Sequence, residues 1–480
     1  MALLAKTQYG FGWQWRPRTI VLAAAAVILT WLVVSRSLAA YLAEAAPQSA
    51  LWLNARQPEA LLNLADLSIN SSDYAARFAA VAPDPAAPDG DDSSDNATGA
   101  ADGATAGARN LDQSFASIDQ NPSIDLAQIR VQVESAVMRE PLNARGLRIL
   151  GQLADISKDD DDASKFMATA ARLSLHESPA AYWLMRKTAE ANDYKQAISY
   201  ADALMRTDPG FGTYAVPVLA HFAEQKASKD AVTTLLESNP PWRGVFFGAL
   251  PYNVTDARTP LDLLLALRTT PTPPTADDIR GYLSFLIQRK FYELAYYTWL
   301  QFLPPDDLQN VSLLFNGSFD LVPSGLPFDW VITQGSGVTI DIVPRPDKKD
   351  ERALLVDFLF GRVDYHSVNE MVLLTPGTYQ FNGQYNGKIA GPRGLKWRLV
   401  CVGEAKTRIG ESPMISGGTS AWKDFQFTFA VPPADCRAQY VQLDLDARMA
   451  SEELVSGSML FDELRISRLT GPPDGQQTSK

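Results

Sequence analysis

Histidine and cysteine are scarce in this chain, with three and two copies in 480 residues. That leaves little for a His/Cys metal centre or for histidine-based acid–base chemistry. His176, His221 and His366 fall in separate segments, with no serine elbow or glycine-rich phosphate loop beside them, so no enzyme is expected. Positive charge is also short: 43 Lys+Arg face 55 Asp+Glu, a formal charge of −12. Nucleic acid is excluded as a partner, because phosphate binding rests on clustered Lys and Arg releasing counterions. Charged residues reach only 20% against 46% apolar, which rules out a wholly disordered chain. The length exceeds what one core usually serves, so several domains are expected.

Residues 19–35 carry no charge and, at about 1.5 Å per residue, meet the lower limit of a membrane-spanning helix. Lys6, Arg16 and Arg18 precede the run, and the first acid is Glu44. By the positive-inside rule, residues 1–18 form a cytoplasmic tail and the bulk of the chain is exported. A cleaved signal peptide is the competing reading, since Ser37, Leu38, Ala39 and Ala40 offer small residues to a peptidase. The run is slightly long for a signal core and ends on Arg36, which favours an uncleaved anchor. An alanine-rich composition points to a bacterial inner membrane with the bulk in the periplasm. An exported location suits a disulfide between Cys401 and Cys436, closing a loop of about 35 residues worth roughly 3 kcal/mol.

Residues 36–81 read as helical, with Leu61, Leu62, Leu64 and Leu67 recurring on one face. Residues 82–110 read as an acidic flexible linker; its stretch 82–107 holds six aspartates, no cation and almost nothing that packs. Their spacing fits no EF-hand-type calcium loop. Residues 111–309 then carry a 34-residue repeat: Ala163, Ala197 and Ala231 share that interval, as do Ala136 and Ala170. Each period reads as two amphipathic helices, 144–156 with 162–174 and 178–191 with 194–206. Longer helical patterns cover 214–237 and 276–303. The interval, and YKQAISYADALMRTDP at 194–209, resemble the tetratricopeptide repeat over about 125–210. Gly151 keeps that family's small residue and Met185 departs from it. The resemblance implies an all-α solenoid that docks partner proteins in its groove.

At residue 310 the pattern changes to short strands separated by turn signals, about eight of them up to residue 470, which predicts an all-β jelly-roll sandwich. Residues 471–480 read as a disordered tail. LLFNGSFD at 313–320, PFDW at 327–330, LLTPGTYQFNGQYN at 373–386, AWKDFQFTFAVP at 421–432 and MLFDELRISR at 459–468 follow in order. That order resembles the galactose-binding-like carbohydrate-binding modules attached to xylanases and related glycosidases. The resemblance implies glycan binding, for which aromatic rings must stack on pyranoses while polar side chains read hydroxyls. Tyr365, Tyr385 and Trp397 are the expected rings, with Arg362 and Arg393 as donors; Trp422 and Tyr379 read as core. It also implies a structural calcium ion on Asp320 and Asp462, with Glu463 beside the latter. The combination of anchor, repeats and jelly roll is similar to accessory proteins of bacterial exopolysaccharide assembly. The expected partners are polysaccharide, the membrane and polysaccharide-assembly or other envelope proteins. A structural envelope or secretion-complex protein, whose jelly roll binds protein and not sugar, is the alternative.

Overall fold

The structure, a computed structural model, describes residues 17–70, 126–359, 361–403, 406–419 and 421–469. The acidic segment 82–110, the tail 471–480 and residues 1–16 lie outside the described residues. The chain divides into two compact units, Met1–Val232 and Thr233–Lys480.

The first unit opens with helix α1 (Pro17–Ala45), long and apolar enough to cross a membrane. Val21, Leu29 and Val33 on it are 62–66% exposed. The helix runs ten residues past the apolar segment, because Arg36 to Ala45 still favour helix. Two helices follow, α2 (Pro47–Leu53) and α3 (Pro58–Asn70). From residue 126 come α4 (Leu126–Val137), α5 (Ala144–Ile156), α6 (Asp160–Leu173), α7 (Ser178–Glu190) and α8 (Tyr194–Thr207). α3 is not separate from the repeat helices. Leu61, Leu62, Ala65 and Ile69 share one core with Ile129, Val133, Ile149 and Leu153. Asp66 accepts from Arg148 (2.8 and 2.9 Å) and from Arg145 (2.6 Å) across that joint.

The 34-residue period is visible in three dimensions. The α5–α6 turn places Lys158 at φ 61°, and the α7–α8 turn, 34 residues on, places Asn192 at φ 58°. The same backbone bond closes both, Asp159 N to Ala154 O and Asp193 N to Thr188 O, each 2.9 Å. The aspartates then cap the next helices, accepting from Asp162 N (3.1 Å) and Gln196 N (3.2 Å). Ala136, Ala163, Ala170 and Ala197 are fully buried at the close approaches, while Ala231 is half-buried. The long pattern at 214–237 splits into α9 (Gly212–Glu224) and α10 (Lys229–Glu237), with the unit boundary inside α10.

The second unit begins with helices α11 (Arg243–Ala249), α12 (Thr259–Leu267), α13 (Ala276–Gln288), α14 (Tyr292–Leu300) and α15 (Pro305–Gln309). The pattern at 276–303 is thus two helices, broken where Lys290 adopts φ 62°. These helices belong to the same compact unit as the sandwich, so contacts divide the chain near 232, whereas the last helix ends at Gln309 and the first strand begins at Val338. Trp299 of α14 lies 5.1 Å from Phe315 and 5.8 Å from Phe328, and Tyr296 lies 5.3 Å from Phe328.

Among the described residues, ten strands form an antiparallel sandwich: β1 (Val338–Pro344), β2 (Arg352–Phe358), β3 (Val368–Val372), β4 (Gly377–Ala390), β5 (Leu395–Cys401), β6 (Arg408–Glu411), β7 (Gly417–Gly418), β8 (Lys423–Val431), β9 (Gln439–Leu445) and β10 (Ser456–Arg468). The larger sheet runs β1-β2-β10-β4, with β7 and β8 both pairing to β4; the smaller runs β3-β9-β5-β6. Between them lie Trp330, Leu354, Val356, Phe381, Trp397, Val441 and Phe461, none exposed. The motifs at 313–320 and 327–330 close one end. Asn316 brackets Leu321 through both its amide atoms at 3.0 Å, and Trp330 Nε1 donates to Asn316 O (3.0 Å). Gly317 O accepts from Leu464 N of β10 (2.9 Å), and a Cβ at 317 would stand 2.1 Å from Leu464 O. Cys401 and Cys436 are disulfide-bonded.

Candidate functional site

The structure corrects the choice of aromatic rings. Successive residues of a strand face opposite sides, and in β5 the odd positions point inward. Trp397 is therefore wholly buried, 5.7 Å from Trp330 and 5.6 Å from Phe461, and is core rather than a sugar contact. Tyr385 lies on the inward parity of β4, half-buried against Phe425 at 6.2 Å. Tyr365 packs on the core 5.9 Å from Phe358. Its buried hydroxyl has no hydrogen-bond partner among the described residues, and burial pushes the phenol well above its usual range. Arg362 is exposed but paired with Glu453 at 2.6 Å, and Arg393 with Glu452 at 2.7 Å. The two arginines are thus held by adjacent glutamates, while Trp397 stays in the core.

The outer face of the larger sheet carries the polar array that the aromatic-first reading passed over. In TYQFNGQYN the even positions Gln380, Asn382, Gln384 and Asn386 all point away from the core, spanning about 20 Å of β4. Gln380 donates to Gln426 of β8 (2.6 Å), and Gln384 donates to Asp424 (3.0 Å). Asn386 accepts from Thr419 (3.2 Å). Trp422, one residue before β8, has the same outward parity and is half-buried. Its ring lies over the Arg345 guanidinium at 3.9 Å, and its Nε1 donates to Asp347 Oδ1 (2.9 Å). Planar amides beside a tryptophan are the combination that reads hydroxyls and stacks on a ring. The period-two alternation was the available signal.

Arg345 also bears on the calcium expectation. Its Nη1 donates to Asp462 Oδ2, and its Nε and Nη2 donate to Asp347 (3.1 and 2.9 Å). Hydrogen bonding to Arg345 pulls the Asp347 carboxyl down to about 2, while burial pushes Asp462 up against the pull of the same guanidinium. Oxygens of Glu351, Asp462 and Glu463 lie within 4.8 Å of one another, but Asp320 is not in that group. Asp320 is exposed and accepts from Arg352 N (3.2 Å). Calcium takes six to eight oxygens; here Asp462 already receives Arg345 and Glu463 N (2.6 Å), and Lys348 pairs with Glu351 (2.8 Å). The residues present do not fit a calcium ion held by Asp320 and Asp462.

The outer face of the smaller sheet carries a different chemistry. Arg398 donates to Asp444 (3.1 Å) and to Asp446, and Lys396 stands 3.4 Å from both Glu411 and Asp446. Asp444 further accepts from Gln442 (2.7 Å) and from Ser367. Asp444 and Asp446 are each 8% exposed. This ion lattice is largely satisfied within itself, although the buried Arg398 Nε has no hydrogen-bond partner among the described residues.

No protein-family model matches the chain, and no curated protein matches it. Solved structures do align with about a third of it. A CBM4 carbohydrate-binding module shares 18% identity over 32% of this chain and 99% of its own, with a TM-score of 0.26. The CBM22-1 xylan-binding domain from Paenibacillus barcinonensis Xyn10C shares 12% over 30% of this chain and 87% of its own, with a TM-score of 0.22. TmCBM61, solved with β-1,4-galactotriose, shares 15% over 33% of this chain and 99% of its own, with a TM-score of 0.23.

Proposed function

We propose that this chain is a membrane-anchored, exported accessory protein of bacterial polysaccharide assembly or export, and not an enzyme. On this reading α1 spans the inner membrane with residues 1–18 in the cytoplasm. The tetratricopeptide-like helices dock partner proteins in the periplasm, and the jelly roll contacts glycan. The carrying observation is the outward amide row of Gln380, Asn382, Gln384 and Asn386, joined to Asp424 and Gln426 and ending at Trp422. The amides offer donors and acceptors in fixed planes without net charge, which suits neutral sugar hydroxyls. The test is affinity electrophoresis of the full chain through gels containing bacterial polysaccharides. Retention that drops at least tenfold in Trp422→Ala and in the Asn382→Ala/Gln384→Ala pair is expected. No retention on any neutral or acidic glycan refutes the proposal, and retention unchanged by these substitutions refutes the face.

A second reading, protein binding by the same unit, has its own observation. Phe291, Leu294 and Tyr297 on or beside α14 are 54%, 46% and 63% exposed. Of these, Tyr297 lines a crevice of about 410 Å³ that is also walled by Tyr296, Pro376, Pro432 and Pro433. A protein partner lost on Tyr297→Ser, with no glycan retained, would decide for this reading.

A further inference from the structure

We infer that Arg345 does in this sandwich the work of a structural cation, so that the loop at 345–351 is tied to the last strand without a metal ion, and that the same guanidinium sets the position of Trp422. Arg345 is 5% exposed and its side chain only 2%; the Asp462 side chain is 1% exposed. The guanidinium joins groups far apart in sequence: Asp462 on β10, Asp347 within the loop, and the Trp422 ring ahead of β8. The Arg345 backbone closes the loop by donating to Glu351 O (2.9 Å). Lys348 supplies the second positive charge, 2.8 Å from Glu351 and 3.5 Å from Glu463. Each of the three carboxylates that come within 4.8 Å of one another is therefore held by a side-chain cation. A divalent ion binding them would have to displace both.

The exchange is not neutral in chemistry. A metal ion is a sphere of charge that gathers oxygens from several directions. A guanidinium is a planar fork, and its faces stack on aromatic rings. Arg345 uses the edges of the fork for Asp462 and Asp347 and a face for Trp422, whose Nε1 returns to Asp347 (2.9 Å). The tie and the ring orientation thus become one device, in which Arg345 is a positioning residue. The tie itself does not depend on glycan binding; only the use of Trp422 as a sugar platform rests on the proposed function.

The experiment follows thermal unfolding of the full chain in detergent, in the transition that also responds to reduction of the Cys401–Cys436 bond. The wild-type midpoint is expected to stay within about 1 °C when millimolar calcium is exchanged for EDTA, since no binding energy is linked to folding. Arg345→Gln is expected to lower it by roughly 6–20 °C, as loss of one partner of a buried pair does. Arg345→Lys keeps the charge but not the fork or the stacking face, and is expected to recover less than half of that drop. A wild-type midpoint that rises with calcium or falls with EDTA by more than about 3 °C overturns the inference. So does an Arg345→Gln variant that melts like wild type, or full rescue by lysine. If Arg345→Gln does not fold, the wild-type calcium and EDTA arms decide. None of these readouts contains glycan, so their failure and that of the proposed function are separable.

Discussion

Removing Arg243 tests whether the helical half of the second unit is organised by one buried ion pair. Arg243 is 2% exposed and all five of its guanidinium N–H groups are placed. Nε donates to Asp278 Oδ1 (3.2 Å) and Nη2 to Asp278 Oδ2 (2.7 Å). The other three reach the carbonyls of Leu236 (3.3 Å), Thr272 (3.2 Å) and Pro273 (3.3 Å). Asp278, itself 2% exposed, also caps α13 by accepting from Thr275 N (2.8 Å) and Thr275 Oγ1 (3.0 Å). Arg243→Met leaves a buried carboxylate with only the Thr275 donors and strands the Thr272 and Pro273 carbonyls, while Leu236 O keeps Asn239 N (3.0 Å). The expected cost is about 3–5 kcal/mol, well above that of an exposed pair. In a unit of this size it lowers the melting midpoint by roughly 6–20 °C. Replacing both partners, Arg243→Met with Asp278→Leu, is expected to cost at least about 1 kcal/mol less than the single change, because no charge is then stranded. Urea unfolding of the three proteins, read by circular dichroism, supplies the comparison. A single-variant cost below about 1 kcal/mol, or strict additivity in the double variant, would refute this account.

Stability should also depend on pH through Glu370. It is 1% exposed, its Oε1 accepts Phe315 N (2.8 Å), and burial, reinforced by nearby Asp329, pushes its carboxyl well up. Burial also raises Asp329. The unfolded chain releases these protons first, so their contribution is full below about pH 4 and is lost as pH rises through the folded values. Glu370→Gln should flatten that slope in denaturant titrations between pH 4 and 7. A Cβ at Gly281 would meet Gly248 Cα at 2.5 Å, whereas one at Gly248 meets nothing within 4 Å. Gly281→Ala should therefore cost about 1–3 kcal/mol in thermal unfolding, and Gly248→Ala should cost nothing or stabilise slightly. If neutral amides read the glycan, its retention should change less than twofold between about 50 and 500 mM salt. A steep fall would assign binding to charged groups instead.

Helix and strand existence was legible because hydrophobic period is a local property. The helix 144–156 and the strand starting at 395 fall where the pattern puts them. Two helix breaks use neither glycine nor proline. At 289–291 the left-handed position is taken by Lys290, and at 225–228 the turn is closed by the Ser228 hydroxyl bonding back to Phe222 O (2.7 Å). The Arg345–Asp462 pair spans 117 residues, and no local pattern announces a contact of that range.

The burial of Trp397 and the inward position of Tyr385 have a more specific reason, which is parity. Choosing residues by aromatic type selected Tyr385 and Trp397, whose strand positions point into the core where large rings gain most by burial. In sequence Trp422 reads as core, standing just ahead of Phe425, Phe427 and Phe429. Those phenylalanines are odd-numbered and Trp422 is even, so the alternation that buries Phe425 and Phe429 turns Trp422 outward. The same alternation places Gln380, Asn382, Gln384 and Asn386 together opposite buried Tyr379 and Phe381. In a two-sheet sandwich, the strands with the most aromatic inward face fix the core. Their intervening polar residues are what the outer surface can offer a ligand. The inward aromatic residues of β4 and β8 therefore belong to the core, and the proposed amide face lies on the opposite side of the same strands.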